Sequence, residues 1–134
     1  MAVSEQGQSP LRVLIVDDEM LICMTLQDVL EDLGCVVTAV CTNLQQALDQ
    51  STRLDFDIAI LDVNLNGEEV TPVSATLHDR DIPFVFSTGY GRSGIPQQYS
   101  HYPLIEKPFR DTDLLATLHL AMQGDWKRPP TAAA

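Results

Sequence analysis

Short apolar runs recur along this chain, separated by stretches in which apolar residues return every three or four positions. Leu11 to Val16 is an aliphatic, largely β-branched run, the pattern of a strand buried on both faces. Between residues 19 and 33, Ile22, Leu26, Val29, Leu30 and Leu33 fall at i, i+4, i+7, i+8 and i+11, which is one face of a helix. Gly34 stops that helix as a C′ residue would. Cys35 to Val40 predicts a second strand. Thr42 or Asn43 can cap a helix running to about Ser51, with Leu44, Ala47 and Leu48 inward. Asp57 to Leu61 predicts a third strand, and Asp62 ends it. Asn66-Gly67 marks a turn, followed by an expected helix from about Glu68 to His78 with Pro72 tolerated in its first turn. Ile82 to Phe86 is a fourth strand and Leu104-Ile105 a minimal fifth. The last helix is expected over Asp111 to Met122, capped by Asp111, with Leu114, Leu115, Leu118 and Met122 inward.

Buried strands alternating with helices predict an α/β domain whose parallel sheet is covered on both faces. Such sheets bind ligands beyond the carboxyl ends of their strands, where the strand order reverses. Residues 88–103 break the rhythm: Gly89, Gly91, Gly94, Pro96 and Pro103 interrupt them and no helical face repeats. The fourth helix is therefore expected to be short or poorly ordered. The polar residues 1–10 end in proline and read as a tail. Residues 11–123 fit one domain, and residues 124–134 read as a second tail.

The formal net charge of −11 opposes binding to nucleic-acid phosphates or anionic lipid. No basic start precedes an apolar stretch, and no apolar run approaches the roughly 20 residues a membrane helix needs. A cytoplasmic location is expected. Cys23, Cys35 and Cys41 show no Cys-x-x-Cys spacing and read as small buried apolar residues.

Asp17-Asp18, Asp62, Thr88 and Lys107 each sit at or just past the end of an apolar run, so the predicted sheet gathers them at one edge. Two like charges about 4 Å apart repel by about 4 kcal/mol at an effective dielectric of about 20, so three clustered carboxylates need a cation. Ligands that are all oxygen favour Mg²⁺. Asp18 and Asp62 are the expected direct ligands, the backbone carbonyl of Asn64 a third, and Asp17 acts through water. Asp62 is then the nucleophile for a phosphoryl group, giving an acyl phosphate. Lys107 and the Thr88 hydroxyl would bond the phosphoryl oxygens left free by the metal. Pro108 after Lys107 is a candidate for a cis peptide in a tight turn.

Together the acidic pair Asp17-Asp18, Asp62, Thr88 and Lys107-Pro108-Phe109 resemble the bacterial response-regulator receiver domain over about residues 11–122. The resemblance implies a flavodoxin-like (βα)₅ fold and Mg²⁺-dependent transfer from a phosphohistidine on a partner kinase, or on a phosphotransfer protein, to Asp62. It also implies a Thr88 hydroxyl that moves toward the phosphoryl group and remodels the face of helix four, strand five and helix five. Such domains are phosphoacceptor switches that lose their own phosphoryl group slowly, and docking by a kinase would use helix one near Met20 to Met24. One departure stands out: the family usually carries Tyr or Phe where Leu104 stands here. The run Pro83 to Gly91 resembles a subgroup of stand-alone receivers with a Thr-Gly-Tyr-Gly loop and no such aromatic. That subgroup is associated with kinases of the His-Trp-Glu class and with bacterial stress signalling. By this analogy Gly89, Tyr90 and Gly91 form a candidate switch loop, with Tyr90 replacing the missing aromatic. A monomer acting through a downstream protein partner is expected. The runner-up reading is a binding module that keeps the fold and works without phosphorylation. An aspartyl phosphatase is disfavoured, because Asn64 stands where such enzymes place a general acid.

Overall fold

A computed structural model of the chain describes residues 10–53, 56–89, 91 and 95–123. Tyr90 and, Pro10 apart, the two expected tails lie outside the described residues. The elements in order are β1 (Arg12–Val16), α1 (Met20–Asp32), β2 (Val36–Cys41), α2 (Leu44–Arg53), β3 (Ile58–Asp62), β4 (Asn64–Leu65), β5 (Glu68–Glu69), α3 (Thr71–Asp79), β6 (Phe84–Thr88), a 3-10 helix (Gln97–Tyr99), β7 (Leu104–Glu106) and α4 (Asp111–Gln123). Five parallel strands form one sheet in the order β2-β1-β3-β6-β7, the flavodoxin-like arrangement. The order reverses between β1 and β3, so their carboxyl ends open a crevice there. That crevice carries Asp17 and Asp18 on one side and Asp62 on the other.

Buried strands follow from their composition. Val13 to Val16 and Ile58 to Leu61 are at most 1% exposed, because helices cover both faces of the sheet. α1 contributes Cys23, Leu26 and Leu30 to this core, with Ile22 and Val29 packed at its edge. Its end is a Schellman motif: Gly34 has φ 89°, its N–H donates to Glu31 O at 3.1 Å, and Cys35 N–H donates to Leu30 O at 2.9 Å. Asn43 is the cap of α2; its Oδ1 accepts Gln46 N–H at 2.8 Å while Gln46 Oε1 accepts Thr42 N–H at 3.0 Å.

Three sequence expectations need correction. The third helix begins at Thr71, not near Glu68, because Glu68 and Glu69 pair with Leu65 and Asn64 in a small antiparallel hairpin. Asn66 (φ 54°) and Gly67 (φ 88°) form its two-residue turn, where both central residues must be left-handed. Asp111 lies inside the first turn of α4 and does not precede it; Leu114 N–H donates to Arg110 O. Met122 is 44% exposed, and Ala121 takes the inward place. At about 100° per residue Ala121 falls about 20° from Leu114 around the helix, whereas Met122 falls about 80° away.

The connection from β6 to β7 carries the short 3-10 helix, in keeping with the weak helical pattern there. Aromatic rings anchor its far end. Tyr102 is 1% exposed, stacks on Phe84 with centroids 4.6 Å apart, and shares a hydrogen bond with His78 Nδ1 of α3. Tyr99 packs edge-on against Tyr102 and Phe84.

Candidate functional site

Asp17 follows the last residue of β1 and is fixed before any ligand arrives. Its N–H donates to Cys41 O at 3.0 Å, its Oδ1 accepts Glu19 N–H at 2.9 Å, and its carbonyl accepts the Cys23 thiol at 3.2 Å. Asp18 turns toward the hairpin, and its Oδ2 accepts Asn66 N–H at 2.8 Å. Asp62 ends β3, with Oδ1 3.4 Å from the Asn64 amide nitrogen. The Asn64 side chain closes the hairpin turn by accepting Gly67 N–H at 2.7 Å. Carboxylate oxygens of Asp17, Asp18 and Asp62 lie within 4.8 Å of one another.

Lys107 reaches this cluster from the end of β7. Its N–H donates to Thr88 O at 2.9 Å, which fixes the chain beside β6, and the Lys107–Pro108 peptide is cis. The ammonium lies 2.9 Å from Asp17 Oδ2, 3.5 Å from Asp62 Oδ2 and 3.7 Å from Glu19 Oε1. Thr88, the last residue of β6, is 3% exposed yet lines the same cleft. Ser87 beside it is also buried, and its Oγ has no hydrogen-bond partner among the described residues. Leu104 pairs with Phe86 in the sheet and is half-buried. Gly89 is exposed at the cleft; Gly91 has φ 64° and a Cβ there would come within 3.0 Å of Glu106 Oε2, so the position suits glycine.

The cleft has a volume of about 840 Å³ and joins Asp18, Asp62 and Asn64 to Thr88, Gly89 and Lys107. Burial, then the Asp17 carboxylate, pushes the Asp62 carboxyl up to about 7, against the pull of Lys107 and the Asn64 amide. Burial lowers the Lys107 pKa, but its hydrogen bond and ion pair with Asp17, then Asp62 and Glu19, more than reverse this and raise it. Among the described residues one ammonium is shared among three acids, which leaves the cluster short of positive charge. The donor set is all oxygen, which fits a hard divalent cation such as Mg²⁺.

Glu19, Val63, Glu69, Ile95 and Pro96 also line the cleft and went unread in the sequence. Glu19 had a signal, as a third acid directly after Asp17-Asp18. Glu69 had a fainter one, two residues past an Asn-Gly turn that folds the chain back. Tyr90 lies outside the described residues.

Residues 13–119 match the model of the response regulator receiver domain family. Among solved structures, SdrG from Sphingomonas melonis Fr1 is 37% identical with a TM-score of 0.78, over 86% of this chain and 98% of that one. The BeF3-activated conformation of SdrG from Pseudomonas melonis Fr1 is 38% identical with a TM-score of 0.73, over 86% of this chain and 99% of that one. The PhyR stress response regulator is 25% identical with a TM-score of 0.75; the match covers 92% of this chain and 48% of that protein, about half its length. No curated protein matches the chain.

Proposed function

The chain belongs to the response regulator receiver family, whose members are phosphoacceptor switches of two-component signalling and not enzymes, and from that premise we propose that Asp62 accepts a phosphoryl group from a phosphohistidine on a sensor kinase or phosphotransfer protein. The observation that carries the reading is the convergence of Asp62 with Asp18, Thr88 and Lys107 in one cleft, at the carboxyl ends of four strands or the loops that follow them. Receiver domains generally bind Mg²⁺ at an acidic pocket, and Asp18, Asp62 and the Asn64 carbonyl would hold it here, with Asp17 acting through water. When bound, the cation supplies neutralising charge for one phosphoryl oxygen.

The remaining work falls to the chain itself. An Asp62 carboxylate oxygen attacks phosphorus in line as the phosphohistidine nitrogen departs. Lys107 exchanges part of its contact with Asp62 for a phosphoryl oxygen, and Thr88 donates its hydroxyl to another. A phosphoryl group adds about −1.5 to −2 of charge and three acceptor oxygens. The segment that starts at Thr88 and ends at the Tyr102 anchor is well placed to reorganise around them. Similarity to SdrG, which has a BeF3-activated conformation, supports a conformational switch of this kind. Similarity to the PhyR stress response regulator supports a place in stress signalling, and the resemblance of the run Pro83 to Gly91 to the Thr-Gly-Tyr-Gly subgroup implies a kinase of the His-Trp-Glu class as donor and a downstream protein as target. Mass spectrometry of the intact protein after incubation with Mg²⁺ and phosphoramidate tests the acceptor. Wild type gains one phosphoryl group and Asp62→Asn gains none; labelling of both would place the acceptor elsewhere.

A further inference from the structure

The cleft holds more acid than metal binding and phosphoryl acceptance require. Asp18, Glu19, Asp62 and Glu69 line it, and Asp17 sits beneath against Lys107. Among the described residues, Lys107 is the cation that lines it. Even with a divalent cation bound, the carboxylates outnumber the positive charges. Glu19 and Glu69 stand apart from the Asp17, Asp18 and Asp62 cluster. Glu19 is 64% exposed and rises from the β1–α1 loop, where its N–H is held by Asp17 Oδ1 at 2.9 Å. Glu69 rises from the hairpin, exposed, with its Oε1 accepting the Thr71 hydroxyl at 3.3 Å. The Glu19 carboxylate lies 3.7 Å from the Lys107 ammonium and that of Glu69 accepts the Thr71 hydroxyl, so one acid reaches the cleft from the loop after β1 and one from the hairpin after β3. The remaining lining, Val63, Asn64, Thr88, Gly89, Ile95 and Pro96, is uncharged.

We propose that Glu19 and Glu69 form an electrostatic filter on the phosphoryl donor. They disfavour small acyl phosphates and favour donors whose phosphoryl group is carried on nitrogen. This rests on Asp62 being the acceptor. An acyl phosphate near neutral pH enters as a dianion. Its P–O bond breaks as Asp62 forms a new one, and the carboxylate leaves with the electron pair. An N-phosphoryl donor brings a protonated nitrogen that offsets part of the phosphoryl charge; its P–N bond breaks and a neutral amine leaves with the proton and the electron pair. Negative charge lining the cleft depletes the more highly charged donor first. The filter insulates the switch from the cell's small acyl phosphates and leaves it open to N-phosphorylated protein partners.

The test measures rate constants for Asp62 phosphorylation of the full chain with Mg²⁺, using acetyl phosphate and phosphoramidate as donors. Glu19→Gln, Glu69→Gln and the double variant are compared with wild type. The expected result is a ratio of acetyl phosphate to phosphoramidate rates that rises about threefold to tenfold in the double variant, with each single variant between. Added NaCl should raise the wild-type ratio and change that of the double variant much less. A ratio unchanged in the double variant, or insensitive to salt in wild type, overturns the filter while leaving the acceptor intact. Labelling by neither donor in any variant overturns the acceptor and the filter together.

Discussion

Asp62 is held in conflict with its surroundings. Its carboxyl titrates near 7 instead of 3.8, first through burial and then through Asp17. A carboxyl raised in this way keeps its proton longer in the folded state than in the unfolded chain. Folding stability therefore falls as pH rises from about 4 toward 7, and the whole penalty is present above 7. Asp62→Asn removes the charge and the penalty. In EDTA the variant should be more stable than wild type by on the order of 2 kcal/mol near pH 8, with little difference below about pH 4. Urea unfolding at a series of pH values measures the gap; a gap that widens toward acid would contradict the assignment. The principal residues here were legible because each sits at or just past the end of an apolar run: Asp17 and Asp62 directly, Thr88 and Lys107 one residue later, after Ser87 and Glu106. Glu19 and Glu69 were less legible, because neither ends an apolar run and the place of each in the cleft depends on a fold-back in three dimensions.

At the scale of elements, the ends matter more than the middles. The end of α1 was legible from Gly34, whose left-handed φ of 89° lets two N–H groups turn back onto Glu31 and Leu30. Gly34→Ala should cost about 1 to 2 kcal/mol of stability, read as a lower denaturation midpoint with unchanged slope. α3 ends by the same motif with Asp81 at φ 62°, Asp81 N–H donating to His78 O and Ile82 N–H to Leu77 O. The start of α3 was misread because Glu68 and Glu69 have helix-forming side chains, but their backbones are already committed to the hairpin. The aromatic anchor of the β6–β7 connection was also missed. Phe84, Phe86, Tyr99 and Tyr102 come from two segments, and no local period joins them. Tyr102→Phe keeps the stacking on Phe84 and loses the hydroxyl shared with His78, so a loss of about 1 kcal/mol is expected in thermal or urea unfolding.

For the whole molecule, alternating buried strands and amphipathic helices were enough to read a parallel sheet covered on both faces, because both signals are local. The strand order β2-β1-β3-β6-β7 follows from right-handed crossovers that turn back at the first strand, and that turn places the acids together. No helix among the described residues is long and apolar enough to cross a membrane. Since the acids cluster only in the folded chain, a divalent cation held by them would bind the folded state and stabilise it by mass action. Mg²⁺ at about 100 times its dissociation constant should add about 2.7 kcal/mol to folding stability. Asp18→Asn should lose most of that gain, and EDTA should reverse it in wild type, both read by calorimetry.

All three thiols of the molecule are buried, and burial raises each of them, Cys23 and Cys41 to about 11. At neutral pH a thiol titrating there exists as thiolate about once in ten thousand, and the thiolate is the form that peroxide attacks. A sulfur lies one hydrogen bond from the phosphoacceptor cleft, donating to the Asp17 carbonyl, yet oxidants have almost no nucleophile to find. Hydrogen peroxide should leave the mass of the folded chain unchanged at its cysteines, and oxidation should begin only when denaturant exposes them. A switch built as proposed would therefore gain no oxidant input through its thiols.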